Sequence, residues 1–252
     1  MSEAPFDLHI LILTEDSGDE GTLRALSLRM LRLVDSSYRE QRVDLEPASD
    51  ATRRAMRGNH YAARTTAGHR DRVNLARDIA RYLLDERGFV LFHVDADQAW
   101  EDREKQSDNI RRFHEIVKPN VEQAVVDLLA GLQSARDTTA IMSRLHLVSP
   151  YWCIESWLYQ NTVVAGDLCR KHYSGRDAPR FEYWKEHRDE LDEEDKPKAQ
   201  ICLHDRYNHD LASQGFPARA VDEVGKSFHE TVERLRSSPA LVAALAATHP
   251  SY

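Results

Sequence analysis

Two short segments, LHILILT at 8–14 and GFVLFHV at 88–94, are apolar at nearly every position rather than at alternate ones. A strand that is apolar on both sides of its pleat must be covered on both sides, as in a parallel sheet held between helices. The segments beside them carry a helical period. Leu23, Leu26, Met30, Leu33 and Val34 share a face over about 19–35, and Val73, Ala76, Ala80 and Leu83 do so over 66–85, where DERG ends the helix before the second strand.

IMSRLHLV at 141–148 is a third strand candidate, and IESWLYQNTVVAGDLC after Pro150 reads as helix. QRVDLEP has the composition of a further short strand. Ile110, Phe113 and Val117, then Val121, Ala124, Val125 and Leu128, trace helical faces, with Pro119 separating two helices or kinking one. This alternation predicts an α/β fold with a mainly parallel sheet flanked by helices. The last hundred residues carry no comparable strand. EHRDELDEED at 186–195 reads as a solvated helix surface or linker, while HETVERL and SSPALVAALAA suggest small helices. The expected organisation is an α/β core over 1–165, with a helical insertion near 45–70, and a helical C-terminal extension over 166–252 packed on that core.

Forty-two acidic residues against 34 basic ones leave a formal charge of -8, which argues against indiscriminate adhesion to nucleic acid. A nucleic-acid partner therefore requires a local basic patch. Arg53, Arg54, Arg57, Arg64, Arg70, Arg72, Arg77 and Arg81 supply a candidate, although they do not share one predicted face. The competing reading of this stretch is a solvated helix with scattered ion pairs. The spacing of Cys153, Cys169 and Cys202 fits neither a zinc knuckle nor a CxxC site and reads as isolated buried thiols. No stretch approaches the roughly 18 continuous apolar residues of a membrane span, and the N-terminus lacks the pattern of a leader. The expectation is a soluble, cytoplasmic protein without membrane contact.

FVLFHVDADQAWEDR ends its apolar run in Asp95 and Asp97, at the strand end where open α/β sheets commonly bind ligands. Glu15, with Asp16 and Asp19 after it, occupies the analogous end of the first strand. Hard carboxylate oxygens at two neighbouring strand ends suit magnesium or manganese. Acids at loop starts in so acidic a chain are also explained by solvation alone. Glu155, within the aromatic segment PYWCIESWLY, needs solvent, a partner or a metal if its helix is packed.

LHILILTEDSGDEG, FVLFHVDAD and LVSPYWCIESWLYQ, in that order, resemble the acidic segments of TOPRIM-related proteins, and most of all those of small bacterial TOPRIM-like proteins. TOPRIM domains occur in topoisomerases, primases and OLD-type nucleases. The resemblance implies a TOPRIM-like α/β core that uses Mg2+ or Mn2+. Glu15, Asp19, Asp95 and Asp97 stand at the metal-binding positions, with Glu15 also suited to acid-base work, and Glu155 at the later family glutamate. KPKAQ, with Lys198, and KSFHETVERL resemble C-terminal features of such proteins. Where many relatives have glycine after the first glutamate, this chain has Asp16, which crowds a tight turn and adds negative charge.

The resemblance implies a divalent-metal-dependent phosphoesterase acting on nucleic acid, most simply a DNA nuclease, in which Glu15, Asp95, Asp97 and Glu155 serve catalysis. The alternative is a non-catalytic TOPRIM-like adaptor in a bacterial defence or mobile-element system, binding a protein partner through its C-terminal helices.

Overall fold

The computed structural model describes residues 6–15, 20–194 and 196–249, with the backbone alone at Lys198 and Ala199. Asp16, Asp19 and the side chain of Lys198 therefore lie outside the described residues. In chain order the first elements are β1 (Leu8–Leu13), α1 (Glu20–Val34), β2 (Val43–Pro47), α2 (Asp50–Met56), α3 (Thr66–Leu84) and β3 (Gly88–His93). Next come α4 (Asp108–Arg112), α5 (Lys118–Gly131), α6 (Thr138–Met142), β4 (Leu145–Val148), α7 (Ile154–Leu158) and α8 (Thr162–His172). The remainder is helical: α9 (Ala178–Trp184), α10 (Pro197–Gln200), α11 (Asn208–Ser213), α12 (Ala218–Glu223), α13 (Ser227–Arg236) and α14 (Pro239–Ala247).

The four strands form one parallel sheet in the order β2-β1-β3-β4. The continuous apolar runs explain its two-sided burial. Leu8, Ile10 and Ile12 of β1 and Phe89 and Leu91 of β3 enter one core, with α1 and the C-terminal helices. Leu11 and Leu13, with Val90 and Phe92, enter the opposite core beneath α3 and α5. The chain is thus an α/β protein with helices on both faces and a helical C-terminal region. Leu8 and Leu245 belong to the same apolar cluster, so the C-terminal helices complete a core that the sheet begins.

The approach to β3 is tight. A Cβ at Gly88 would lie 2.1 Å from the Tyr82 carbonyl oxygen, a contact only glycine avoids. The buried Arg144 guanidinium donates to the carbonyls of Leu83, Asp85 and Gly88, tying the end of α3 to the start of β3.

Several boundaries depart from the sequence expectation for physical reasons. Residues 138–142 are helical, with Asp137 accepting from the Thr139 N–H at 2.9 Å, so the third apolar run becomes strand only from Leu145. Pro119 neither ends nor separates its helix. A π turn over Phe113–Val117 joins α4 to α5, widening the coil where proline supplies no N–H. The helix expected after Pro150 is two helices, because Asn161 turns its amide to the Leu211 and Gln214 carbonyls, each at 2.9 Å. Part of the 186–195 charge run is not solvated: Leu191 and Asp192 are buried in a 3-10 turn over Arg188–Asp192.

Candidate active site

The strand order places β2 on one side of β1 and β3 on the other, so the chain changes direction between β1 and β3. A crevice at such a point, beyond the C-terminal ends of the strands, is the usual ligand position in an open α/β sheet. Glu15 lies two residues past β1 and Asp95 two past β3. Beneath them, Thr14 Oγ1 meets His93 Nδ1 at 3.3 Å and links the two strand ends. His93 is buried, and burial pushes its pKa down to about 3. The ring is consequently neutral at ordinary pH, with Nε2 lying 3.4 Å from Asp95 Oδ1.

The acidic loop after β3 is stitched to the loop after β4. Ala96, Asp97 and Gln98 donate backbone N–H groups to the carbonyls of Pro150, Trp152 and Tyr151 at 3.0, 3.2 and 3.0 Å. Strand alternation ends at His93. Asp97 takes a left-handed backbone conformation, with φ of 55°. Asp95 Oδ1 accepts from the Ile154 N–H at 3.1 Å, at the start of α7, while Asp97 Oδ2 accepts from Asn109 Nδ2 at 3.0 Å. Each acid therefore has its own anchor. Protein packed around the Asp97 carboxylate raises its pKa, opposed by the Asn109 hydrogen bond and by Arg112.

Two asparagines join the ends of β1 and β3. Asn109, on α4, also donates to the Asp95 carbonyl at 2.9 Å, and its own Oδ1 accepts from Arg112 Nη1 at 2.9 Å and from Asn59 Nδ2 at 3.2 Å. Asn59 Nδ2 donates in addition to Glu15 Oε1 at 2.9 Å. A continuous path thus runs Glu15–Asn59–Asn109–Asp97. Asn59 reaches inward because it and Gly58 are both left-handed, at φ of 56° and 55°, which breaks the helical course after α2. Asparagine tolerates that conformation better than most residues.

Glu155 lies one residue past Ile154, whose N–H donates to the Asp95 carboxylate. It occupies the first turn of α7, only 3% exposed, and its Oε1 accepts from Asn208 Nδ2 at 2.9 Å. Between the two acids sits Cys153, whose thiol is pushed well above the ordinary range by burial, then by the charges of Glu155 and Asp95. Of the residues singled out from sequence, Glu15, Asp95, Asp97 and Glu155 are thus gathered at adjoining loop and helix starts, while Asp19 lies outside the described residues.

Among the described residues, the sets of three or more His, Cys, Asp and Glu ligand atoms lying within 4.8 Å of one another are Cys169–Asp177–Cys202 and His9–Asp44–Glu46. Neither set contains Glu15, Asp95 or Asp97. The chemistry of the crevice is nonetheless that of hard oxygen donors held by amides, a donor set suited to a small divalent cation.

The segment that delivers Asn59 also delivers positive charge. Arg57 and Arg64 flank it, both exposed, and no ion pair with a described residue holds either one. Other arginines of the stretch are engaged: Arg53 with Glu20 and Asp50, Arg72 with the Tyr61 carbonyl, Arg81 with Asp78. No helix of the described residues is long and apolar enough to cross a membrane.

Asn59, Asn109 and His93 were not indicated by sequence reasoning. Neutral amides carry no charge pattern, and the only local sign was the Gly58–Asn59 pair, a turn-forming dipeptide inside a poorly periodic stretch. Compared with known proteins, the chain matches no family model, no curated protein and no solved structure.

Proposed function

We propose that this protein is a divalent-metal-dependent phosphoesterase acting on nucleic acid, most simply a DNA nuclease. The observation that carries the reading is the path from Glu15 through Asn59 and Asn109 to Asp97, which joins carboxylates from two neighbouring strand ends.

In this reading Glu15, Asp95 and Asp97 hold Mg2+ or Mn2+. The cation supplies Lewis-acid polarisation of a phosphoryl oxygen and lowers the pKa of bound water. Asn59 and Asn109 orient the carboxylates of Glu15 and Asp97, as hydrogen-bonding neighbours of metal ligands generally do. Arg57 and Arg64, exposed on the segment that carries Asn59, offer guanidinium groups to a phosphate backbone. Glu155, buried behind Asp95, acts as a positioning residue and adds negative potential there.

A second reading has its own support. The amides already give Glu15 and Asp97 hydrogen-bond partners without an ion, as a structural acidic loop in a non-catalytic adaptor would require. In that case the C-terminal helices serve a protein partner. Incubation with single- and double-stranded DNA and with RNA, in Mg2+ or Mn2+ buffer, separates the two. The enzyme reading expects metal-dependent cleavage that is lost in Asp95→Asn while the fold is retained. Full activity in that variant, or no cleavage of any substrate by the native protein, would overturn it. Stoichiometric binding of a protein partner without cation affinity would establish the adaptor.

A further inference from the structure

Cys169 and Cys202 stand 33 positions apart in sequence, on α8 and on the segment after α10, yet their sulfurs meet at 2.9 Å. Both are buried, Cys169 completely and Cys202 at 6% exposure. The reading of isolated buried thiols therefore fails for this pair, and Cys153 is partly rather than fully buried. The local frame is well determined. Asp177 Oδ2 accepts from the Cys202 N–H at 2.7 Å and from Arg176, while the Asp177 N–H donates to Cys169 Sγ at 3.2 Å.

Three potential ligands this close raise the question of a metal. Two thiolates on one tetrahedral zinc, with Zn–S bonds of about 2.3 Å, keep their sulfurs roughly 3.8 Å apart. The observed contact is nearly an ångström shorter, and Asp177 Oδ2 is engaged by a backbone N–H and a guanidinium. A covalent bond needs only a further approach of under about 1 Å, to the roughly 2.05 Å of a disulfide.

We infer that Cys169 and Cys202 form an oxidation site that closes to a disulfide with a peroxide as the two-electron oxidant. Cys202, the more exposed sulfur, takes up oxygen first. Its thiol gives up its proton, the thiolate attacks one peroxide oxygen, the O–O bond breaks, and the departing hydroxide takes that proton, so that sulfenic acid and one water result. Cys169 sulfur then attacks the Cys202 sulfur, the S–O bond breaks, and the hydroxyl leaves with the remaining thiol proton as a second water. Two thiols and one hydrogen peroxide thus give one disulfide and two waters. Burial pushes the Cys202 thiol up to about 12, which keeps its thiolate scarce and makes the first step slow. The closed bond would tether α8 to the segment leading to Asn208, the residue that holds Glu155.

The test is peptide mapping of the native protein after prolonged hydrogen peroxide treatment, with remaining thiols alkylated in denaturant before digestion. The expected result is a Cys169–Cys202 linked peptide that dithiothreitol releases, in both the native protein and Cys153→Ser. Thermal denaturation should show a rise of at least about 3 °C on oxidation, reversed by reductant and absent in Cys202→Ser. Quantitative alkylation of both cysteines after treatment, conversion of Cys202 to sulfinic acid without a link, or stoichiometric zinc released when these thiols are blocked would each overturn the proposal. Should Cys202→Ser fail to fold, the mapping of the native protein decides the matter alone.

Discussion

Asn109 donates through one amide nitrogen to the Asp97 carboxylate at 3.0 Å and to the Asp95 carbonyl at 2.9 Å, so a single neutral side chain fixes both ends of the acidic turn after β3. The geometry of that turn depends on it, because Asp97 sits in a left-handed conformation that its own backbone does not favour. Its other amide atom receives Asn59, and Asn59 holds Glu15. The carboxylates of Glu15 and Asp97 are therefore joined through two asparagines, while that of Asp95 is held by the Ile154 N–H.

Removing Asn109 should loosen the site more than the fold. Asn109→Ala is expected to weaken Mn2+ binding by about 10- to 100-fold, the usual cost of losing an outer hydrogen-bonding partner of a metal ligand, with the far-ultraviolet circular dichroism unchanged. Asn59→Gly keeps the left-handed backbone while deleting the amide, and should produce a similar loss with little change in melting temperature. Calorimetric titration with manganese measures both.

Glu155 and Asn208 predict an asymmetric pair of variants. Asn208→Ala deprives a buried carboxylate of a donor and should cost about 1–3 kcal/mol in urea denaturation. Glu155→Gln preserves an oxygen to accept the same hydrogen bond and removes the buried charge, so it should be close to neutral in stability. If Glu155 also sets the potential around Asp95, the same substitution should still reduce cation affinity.

Asp192 gives a pH prediction. It accepts from the Ser227 N–H at 3.0 Å and from the Ser227 hydroxyl at 2.7 Å, and that hydroxyl also receives the Trp157 indole N–H at 2.7 Å. Burial outweighs these bonds and raises its pKa to about 6. The folded state then holds this proton more tightly than the unfolded chain does. The resulting stability is fully present below the unfolded value near 3.8 and is lost as pH rises through about 6. The loss should amount to roughly 2–3 kcal/mol across that window. Asp192→Asn keeps the accepting oxygen and should be more stable than the native protein at pH 7, with this part of the pH profile flattened. Denaturation curves at several pH values check the sign.

Much of the framework could be read from the chain because it is written in apolar runs. β1 and β3 are each buried on both faces, a state that leaves no polar alternation, and their helices keep a clear period. β4 was placed four residues early, because Ile141 and Met142 are as apolar as a strand although they form the buried side of a short helix capped by Asp137. Asp192 was hidden in a charge run, where composition suggests solvent; the turn that buries it depends on Ser227, distant in sequence. Glu15, Asp95 and Asp97 were legible as carboxylates at strand ends. The amides joining them were not, since a hydrogen bond between Asn59 and Asn109 spans 50 positions and leaves no local pattern. The meeting of Cys169 with Cys202 was illegible for the same reason.

The proposed activity requires the acids at the ends of β1 and β3 to hold a divalent cation, and electron paramagnetic resonance titration of Mn2+ tests that most directly. The native protein should show saturable binding that competes with Mg2+, and Asp95→Asn and Asp97→Asn should each lose it while remaining folded. Absence of saturable binding by the native protein, or undiminished binding by both variants, would contradict the account.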